Sequence, residues 1–479
     1  MLRVSLFLSA LLFSATLLAA PGEKSSAPSD DYYELYKVLV DTVDQVERNY
    51  VKEVDRRQLI EAAIEGVLSK LDPYSAYVPP EEFDRFRSGV ESEFGGIGIQ
   101  VSVDAGQLKI VSPLVGTPGY RAGLLAGDRI VEIDGEDMDG VTIDAAVRRL
   151  KGPEGTKVTL TVVHPGRTSP EKITVTRERI HVETVLGDRR KADDLWDFML
   201  DPQSKIGYLR VSAFSRETPA EMRHALEELR KHEMKALILD LRSNPGGLLS
   251  AAIDVCDLFV ASGRIVSTEG RNAPERVWNA HRAGTFEGFP MVVLVNRFSA
   301  SASEIVAACL QDHDRAVVMG ERTWGKGSVQ NVIELEDGRS ALKLTTAAYR
   351  RPNGKNIHRF EDAKETDEWG VHPTPGYELK LTDEEMIALV ENRRERDIVR
   401  PRDEAPGAAR SSTEAVGDTQ ARGPGAGSGE VEANPDKARS DSAAGADRES
   451  PSAKNSGKVG DRHLEMALKY LSTELAKAP

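Results

Sequence analysis

A serine among small residues, Phe298-Ser299-Ala300-Ser301-Ala302-Ser303-Glu304-Ile305, and a lysine between two glycines, Gly325-Lys326-Gly327, could together do covalent chemistry. A hydroxyl is a weak nucleophile until a base takes its proton, and a lysine amine is such a base only when neutral. Burial disfavours the ammonium form, so a dry pocket makes a lysine fit for that work. Trp324, Val329 and the two flanking glycines allow a close, dry approach, and Gln330 can aim the amine without adding a charge that would keep it protonated. The run Met291–Val295 reads as a buried strand, and residues 304–310 are apolar at helical spacing. A serine at that junction stands beside the unpaired N–H groups of a helix start, where an oxyanion is stabilised. The Ala302 N–H, directly after the serine, is one such donor.

The stretches Asn296-Arg-Phe-Ser-Ala-Ser-Ala-Ser-Glu-Ile305 and Gly320-Glu-Arg-Thr-Trp-Gly-Lys-Gly-Ser-Val-Gln330 resemble those of the carboxyl-terminal processing peptidases, tail-specific-protease-like enzymes that use a Ser–Lys dyad. The resemblance runs from about Tyr32 to about Lys380, with a short further match at the C-terminus. It implies that Ser301 is the nucleophile, Lys326 the general base and Gln330 the residue that orients the lysine. It also implies a second oxyanion donor, the Gly247 N–H after Asn244-Pro-Gly. The activity so implied is a serine endopeptidase that cuts proteins at or near their C-termini without a cofactor. Ser299 and Ser303 read as cap and packing residues.

Two other chemistries fit less well. Gly320 to Lys326 nearly spells a phosphate-binding loop, but Gly327 stands where a Ser or Thr would hold magnesium. A triad using His313 with Asp312 or Asp314 finds no nucleophile-elbow motif, and Gln311-Asp-His-Asp-Arg315 reads as a polar helix end. A non-enzymatic PDZ scaffold on a dead protease fold is opposed by the joint presence of Ser301, Lys326 and Gln330. The histidines are scattered without metal-ligand spacing, so no metal site is expected.

Elements that would position these residues follow from periodicity. Residues 31–90 read as an N-terminal helical region, with Leu35, Val38, Leu39 and Val46 on one helix face and Leu59, Ala63, Val67 and Leu68 on another. Residues 94–179 change to strand periodicity, and their order and Ala122-Gly-Leu-Leu-Ala-Gly-Asp128 resemble a PDZ domain of the circularly permuted, protease-associated kind. Such domains take up C-terminal peptides by strand addition, with backbone amides holding the carboxylate; here Gly95, Gly96, Ile97 and Gly98 would supply them. Residues 180–397 alternate strands and helices, among them a strand at 206–211, a helix at 219–232 and a buried strand at 236–241 leading to Asn244-Pro-Gly-Gly247. By resemblance this is an α/β protease core of the Clp-protease and crotonase kind, with the PDZ domain inserted before it. Residues 398–460 carry almost no large apolar side chain and read as a disordered linker, since they cannot offset chain entropy by burial. Residues 461–476 then form an amphipathic helix with Leu464, Leu468 and Leu471 on one side. In relatives such a helix packs on the protease or joins a dimer; after so long a linker both roles stay open.

The length of 479 residues predicts two or three domains. A net charge of −14 argues against nucleic acid and anionic membrane surfaces as partners. Residues 1–20 have a positive start, an apolar run and small residues, the pattern of a secretory signal peptide. Export, to a bacterial periplasm, is therefore expected, with membrane anchoring if the segment stays uncleaved. The two cysteines, Cys256 and Cys309, sit in apolar helical contexts and read as separate buried thiols, a single disulfide being the alternative. Expected partners are protein or peptide substrates with apolar C-termini; a homodimer or an adaptor stays open.

Overall fold

A computed structural model describes residues 30–83, 93–399 and 460–477. The expected signal peptide and all but the ends of the expected linker lie outside the described residues. The chain divides into two compact units: residues 30–80 with 332–344, and the rest.

In the first unit, α1 (Asp30–Asn49) is followed by α2 (Arg56–Leu68), whose first turn is capped by the Asp55 carboxylate accepting the Gln58 N–H at 3.0 Å. Leu35, Val38 and Leu39 are exposed on α1. The Asp72 carboxylate accepts the N–H groups of Tyr74 and Ser75 and turns the chain into β1 (Ala76–Val78), which pairs antiparallel with residues 341–343.

In the second unit, the PDZ fold runs from β2 (Glu93–Gly96) through β3 (Ile99–Asp104), β4 (Gln107–Pro113), the turn α3 (Pro118–Arg121), β5 (Arg129–Ile133), β6 (Glu136–Asp137), α4 (Ile143–Leu150), β7 (Lys157–Val163) and β8 (Glu171–Thr176) to β9 (Glu178–His181). The sheet order is β3-β4-β5-β7-β8, and β2 pairs with β9 outside it, Glu93 opposite His181. The chain thus enters and leaves this domain at one place. Alternation along β4 and β7 buries Leu108, Ile110, Val158, Leu160 and Val162, and Ala146 and Leu150 of α4 close that core. Strand β3 is the last of its sheet, with α4 packed beside it, which leaves an edge for an added strand.

The protease core opens with short strands β10 (Val185–Leu186), β11 (Arg189–Arg190), β12 (Trp196–Asp197) and β13 (Met199–Asp201). Then come β14 (Ile206–Val211), α5 (Thr218–Lys231), β15 (Ala236–Asp240), α6 (Leu249–Asp257), the hairpin β16 (Gly263–Gly270) and β17 (Ala273–Ala280), and β18 (Met291–Val295). The remainder is α7 (Ala302–Asp312), β19 (Val317–Gly320), β20 (Ser328–Leu335), β21 (Ser340–Arg350), α8 (Asp383–Asp397) and α9 (Arg462–Lys477). Strands β14, β15, β18 and β19 are parallel neighbours. Every residue of β15 and β18 is buried, as expected of strands covered on both faces. Helices α5, α6 and α7 cover one face through residues such as Leu226, Val255 and Val306. On the other face Ala467 and Leu471 of α9 pack against Tyr208, Ile238, Val292, Leu294 and Met319. The role left open for the last helix is therefore filled within the chain: it covers the sheet.

Cys256 on α6 and Cys309 on α7 are free, fully buried thiols that face one another. Burial, and then the Cys309 thiol beside it, push the Cys256 thiol up. The native protein should therefore leave a thiol-reactive disulfide reagent unconsumed, and both thiols should react once it is unfolded. Consumption of reagent by the folded protein would contradict this.

Candidate active site

Strand β18 delivers the chain into a turn, Asn296 to Ala300, before α7 begins at Ala302. Ser301 is the N-cap of α7 and has φ 57°, ψ −116°, a conformation that costs a non-glycine residue about 1–3 kcal/mol. The surroundings over-determine it. The Ser301 N–H donates to Glu304 Oε2 at 2.8 Å, and the Ser301 carbonyl accepts from Glu304 and Ile305 N–H and, at 3.2 Å, from the Tyr349 hydroxyl. The turn before it is equally fixed. Asn296 Oδ1 accepts from Ser243 and Phe298 N–H, and buried Ser299 Oγ accepts the Asn296 N–H and donates to the Leu241 carbonyl. Ser303 Oγ donates to the Asn244 carbonyl at 3.0 Å. Both flanking serines are buried packing residues, and the cap expected of one of them is Ser301 instead.

A strap of residues 242–247, leaving β15, lies against this turn. The Ala300 N–H donates to the Asn244 carbonyl at 3.0 Å, and the Asn244 amide bonds the Val211 carbonyl and the Gly246 N–H. A Cβ on Gly246, whose φ is +102°, would stand 2.7 Å from Ser301 Cβ and 2.9 Å from the Ala302 nitrogen. Only glycine admits that approach. Gly247, next in the chain, is thereby carried beside the nucleophile's turn, and a Cβ there would strike the Phe214 carbonyl at 2.1 Å. Ala302 is the first helical residue, so its N–H has no partner within the helix.

Lys326 arrives on the segment between β19 and β20 and is half-buried. Its flanking glycines are required by packing: Cβ atoms would meet Arg359 Cβ at 2.8 Å from Gly325, and the His358 nitrogen at 2.6 Å from Gly327. What joins this segment to the serine is Glu304. Its Oε2 accepts both the Ser301 and the Lys326 N–H at 2.8 Å, and its Oε1 accepts the Gly325 N–H at 2.7 Å and the Thr323 hydroxyl at 2.5 Å. Burial holds this carboxyl above its ordinary value, although Thr323, Gly325, Lys326 and Ser301 all pull it down. The Tyr349 hydroxyl adds a second tie, lying on the carbonyls of both Ser301 and Lys326. Gln330 is on β20, its amide donating to Ser328 Oγ at 2.9 Å and Thr345 Oγ1 at 3.2 Å. Trp324 is 48 % exposed and so walls the lysine less than its size suggested.

The rival chemistries find no support. His313 caps the far end of α7 from Ser301, its Nε2 on the Arg264 carbonyl, and Asp312 pairs with Arg351. The segment from Gly320 to Lys326 leads into a strand instead of a helix, so no helix N-terminus cradles a phosphate there. No group of potential metal ligands occurs among the described residues.

In the PDZ fold, Gly95 and Gly96 belong to the β2–β9 ladder, while Ile97 and Gly98 form the turn into β3. Each outer glycine also has a packing reason. A Cβ on Gly95 would meet the Gly152 carbonyl at 2.2 Å, and one on Gly98, at φ +73°, would meet Thr117.

Sequence reading missed Glu304, Thr323 and Tyr349. The Ser301-x-x-Glu304 spacing is a capping-box pattern and could have pointed to Glu304. Nothing local marks the other two.

Comparison with known proteins gives consistent matches. The model of peptidase family S41 matches residues 205–368, a PDZ domain model matches 109–163, and a model of the activating protease CtpB N-terminal domain matches 15–82. A carboxy-terminal-processing protease of Bartonella bacilliformis is 36 % identical over 82 % of this chain and 89 % of its own length. A carboxyl-terminal-processing protease of Synechocystis is 38 % identical over 65 % of this chain and 71 % of its own, and the carboxy-terminal processing protease CtpA of Bacillus subtilis 34 % identical over 71 % and 69 %.

Proposed function

This chain belongs to peptidase family S41, the carboxy-terminal processing proteases, and is a serine-type peptidase with a PDZ domain; on that premise we propose that it is exported and cleaves protein substrates at or near their C-termini, with Ser301 as nucleophile and Lys326 as general base. The observation that carries the assignment is the carboxylate of Glu304, which holds the main chains of Ser301 and Lys326 on a single oxygen.

Neutral Lys326 Nζ takes the proton of Ser301 Oγ as that oxygen attacks the scissile carbonyl carbon. The oxyanion that forms faces the Ala302 and Gly247 N–H groups, fixed donors at a helix start and on the strap. As the tetrahedral centre collapses, the C–N bond breaks and Lys326 returns the proton to the leaving amine. Water then attacks the acyl ester with Lys326 again as base, and Ser301 is regenerated. Gln330, at the start of β20, orients the lysine. Nucleophile, base and donors are all protein groups, so the reaction needs no cofactor.

Substrate selection falls to the PDZ domain. An apolar C-terminal segment adds to the edge of β3, with its carboxylate on the amides of the turn that follows Gly95 and Gly96. The N-terminal pattern of residues 1–20 supports export to a periplasm.

The test uses an unfolded substrate ending in apolar residues, made with a free carboxylate and as the amide. Cuts mapped by mass spectrometry should cluster near the C-terminus, and kcat/KM for the free acid should exceed that for the amide by roughly tenfold or more, the size of one charge-assisted hydrogen-bond set. Equal rates would leave the PDZ domain a structural part only. Absence of cleavage would sink the peptidase reading itself.

A further inference from the structure

The strap that carries Gly247 starts at Arg242, and Arg242 is held by the far end of the sequence. Its guanidinium is almost fully buried, 1 % exposed, and makes a bidentate pair with Asp461, Nη1 to Oδ1 at 2.7 Å and Nη2 to Oδ2 at 2.9 Å. Its Nε and Nη2 also bond the buried Asp240 at the end of β15. Arg393 of α8 completes the cluster by pairing with Asp240 and bonding the Tyr208 hydroxyl. Two arginines thus face two aspartates, and one of the aspartates sits at the entrance to α9. Asp461 also starts that helix: its Oδ1 accepts the Leu464 N–H, and its carbonyl accepts the Glu465 N–H.

The next residue after Arg242 is Ser243, at φ 60°, locked to Asn296 of the nucleophile's turn by its N–H and its hydroxyl. From α9 to the oxyanion donor the path is therefore continuous: Asp461, Arg242, Ser243, Gly247. Residues 242 and 461 are 219 positions apart, and the seating of α9 on the sheet brings this carboxylate to the strap.

We propose that Asp461 and Arg242 are positioning residues for the peptidase reaction, through which the seated C-terminal helix sets the oxyanion strap in its working place. Without Asp461 the cluster holds two buried guanidinium groups against one carboxylate. Removing one partner of a buried ion pair is strongly destabilising, and the chain that leaves Arg242 is the strap, whose Pro245 and Gly247 are exposed. The inference rests on the peptidase reading above and concerns the donor at Gly247.

The test is carried out on the full chain with Asp461→Asn, Asp461→Glu and Arg462→Ala, at a temperature where circular dichroism shows all three folded. Asp461→Asn keeps shape and removes charge; kcat/KM should fall at least tenfold, mainly in kcat. The inhibition constant of a peptide aldehyde, whose hemiacetal oxygen occupies the oxyanion position, should rise by a similar factor, while product inhibition stays unchanged. Asp461→Glu, which keeps the charge, should recover part of the loss. Arg462→Ala removes only the exposed pair with Glu385 and should leave both constants at the wild-type level. A folded Asp461→Asn enzyme with wild-type kcat/KM, or one whose aldehyde affinity does not follow its rate, would overturn the proposal and leave the pair a packing feature. Should Asp461→Asn fail to fold, Asp461→Glu decides alone: wild-type aldehyde affinity with a displaced guanidinium would equally overturn it. A wild-type enzyme that cleaves, set beside an inert Ser301→Ala, keeps this outcome distinct from failure of the peptidase reading.

Discussion

Ser301→Ala, Lys326→Ala and Lys326→Arg should each lower kcat/KM by roughly 10³-fold or more, because groups that act as a unit lose nearly everything when any one is removed. The arginine variant is the informative one. It keeps positive charge and reach but cannot give up its proton in a protein, so it cannot serve as a base. If Lys326 acted only by attracting an anionic substrate, arginine would preserve activity. Because the amine must be neutral to act, the wild-type rate should also climb with pH as that amine deprotonates, in a profile absent from the variants. His313→Ala should cost little activity, since its ring bonds the Arg264 carbonyl at the opposite end of α7 from the serine. Active Lys326→Arg with inactive His313→Ala would replace the dyad by a histidine mechanism.

Glu304→Gln should cut kcat by roughly 10²-fold and cost about 3 kcal/mol of stability, the range for breaking a buried charge-assisted network. The argument is one of donors and acceptors. A carboxylate only accepts, and all four of its neighbours here donate: Ser301, Gly325 and Lys326 N–H and the Thr323 hydroxyl. In glutamine one end becomes an NH₂. Turned one way, the NH₂ faces the Ser301 and Lys326 N–H donors; turned the other, it faces the Gly325 N–H, while the Thr323 hydroxyl can rotate to accept from it. The first clash releases the strained φ of Ser301; the second releases the segment that carries Lys326. Since neither touches the PDZ domain, KM for a C-terminal peptide should change far less than kcat. A folded Glu304→Gln enzyme of normal kcat would mean that the turn is held without this carboxylate.

Much of the candidate site is legible because its residues are packed into short stretches. The serine turn, the glycine-flanked lysine and the Asn244-Pro-Gly-Gly247 strap each declare themselves within about ten residues, and the apolar runs of β15 and β18 place them on a buried parallel sheet. What escaped reading depends on contacts between distant segments. Tyr349 is one more aromatic residue on a strand until folding lays its hydroxyl on Ser301 and Lys326. Asp461 looks like an ordinary helix cap until it meets Arg242. The short strands before 206 also escape, because two- and three-residue pairings leave too little periodicity to recognise, and the hairpin 263–280 escapes although its strands are eight residues long. The glycines of 95–98 carry a different lesson. They were read as open amides for a ligand, and the structure gives two of them a steric reason as well, at Gly152 and Thr117. A glycine pattern alone does not separate those demands.

The antiparallel pairing of β2 with β9 has a consequence for how the chain assembles. Residues opposite one another in such a ladder stand about 5 Å apart, so Glu93 and His181 become near neighbours as soon as the PDZ domain has folded. Bringing together the ends of a free segment of that length costs about 4 kcal/mol on the (3/2)RT ln n scale. Folding of the domain's own core, Ile97 to Val175, meets that cost in advance. The pairing of β1 with residues 341–343, which spans the domain, is then made as though the domain were not in the sequence at all, which shortens the effective loop to be closed and should speed that step. Order of synthesis works in the same direction, since the domain is complete before the first long strand of the protease sheet emerges.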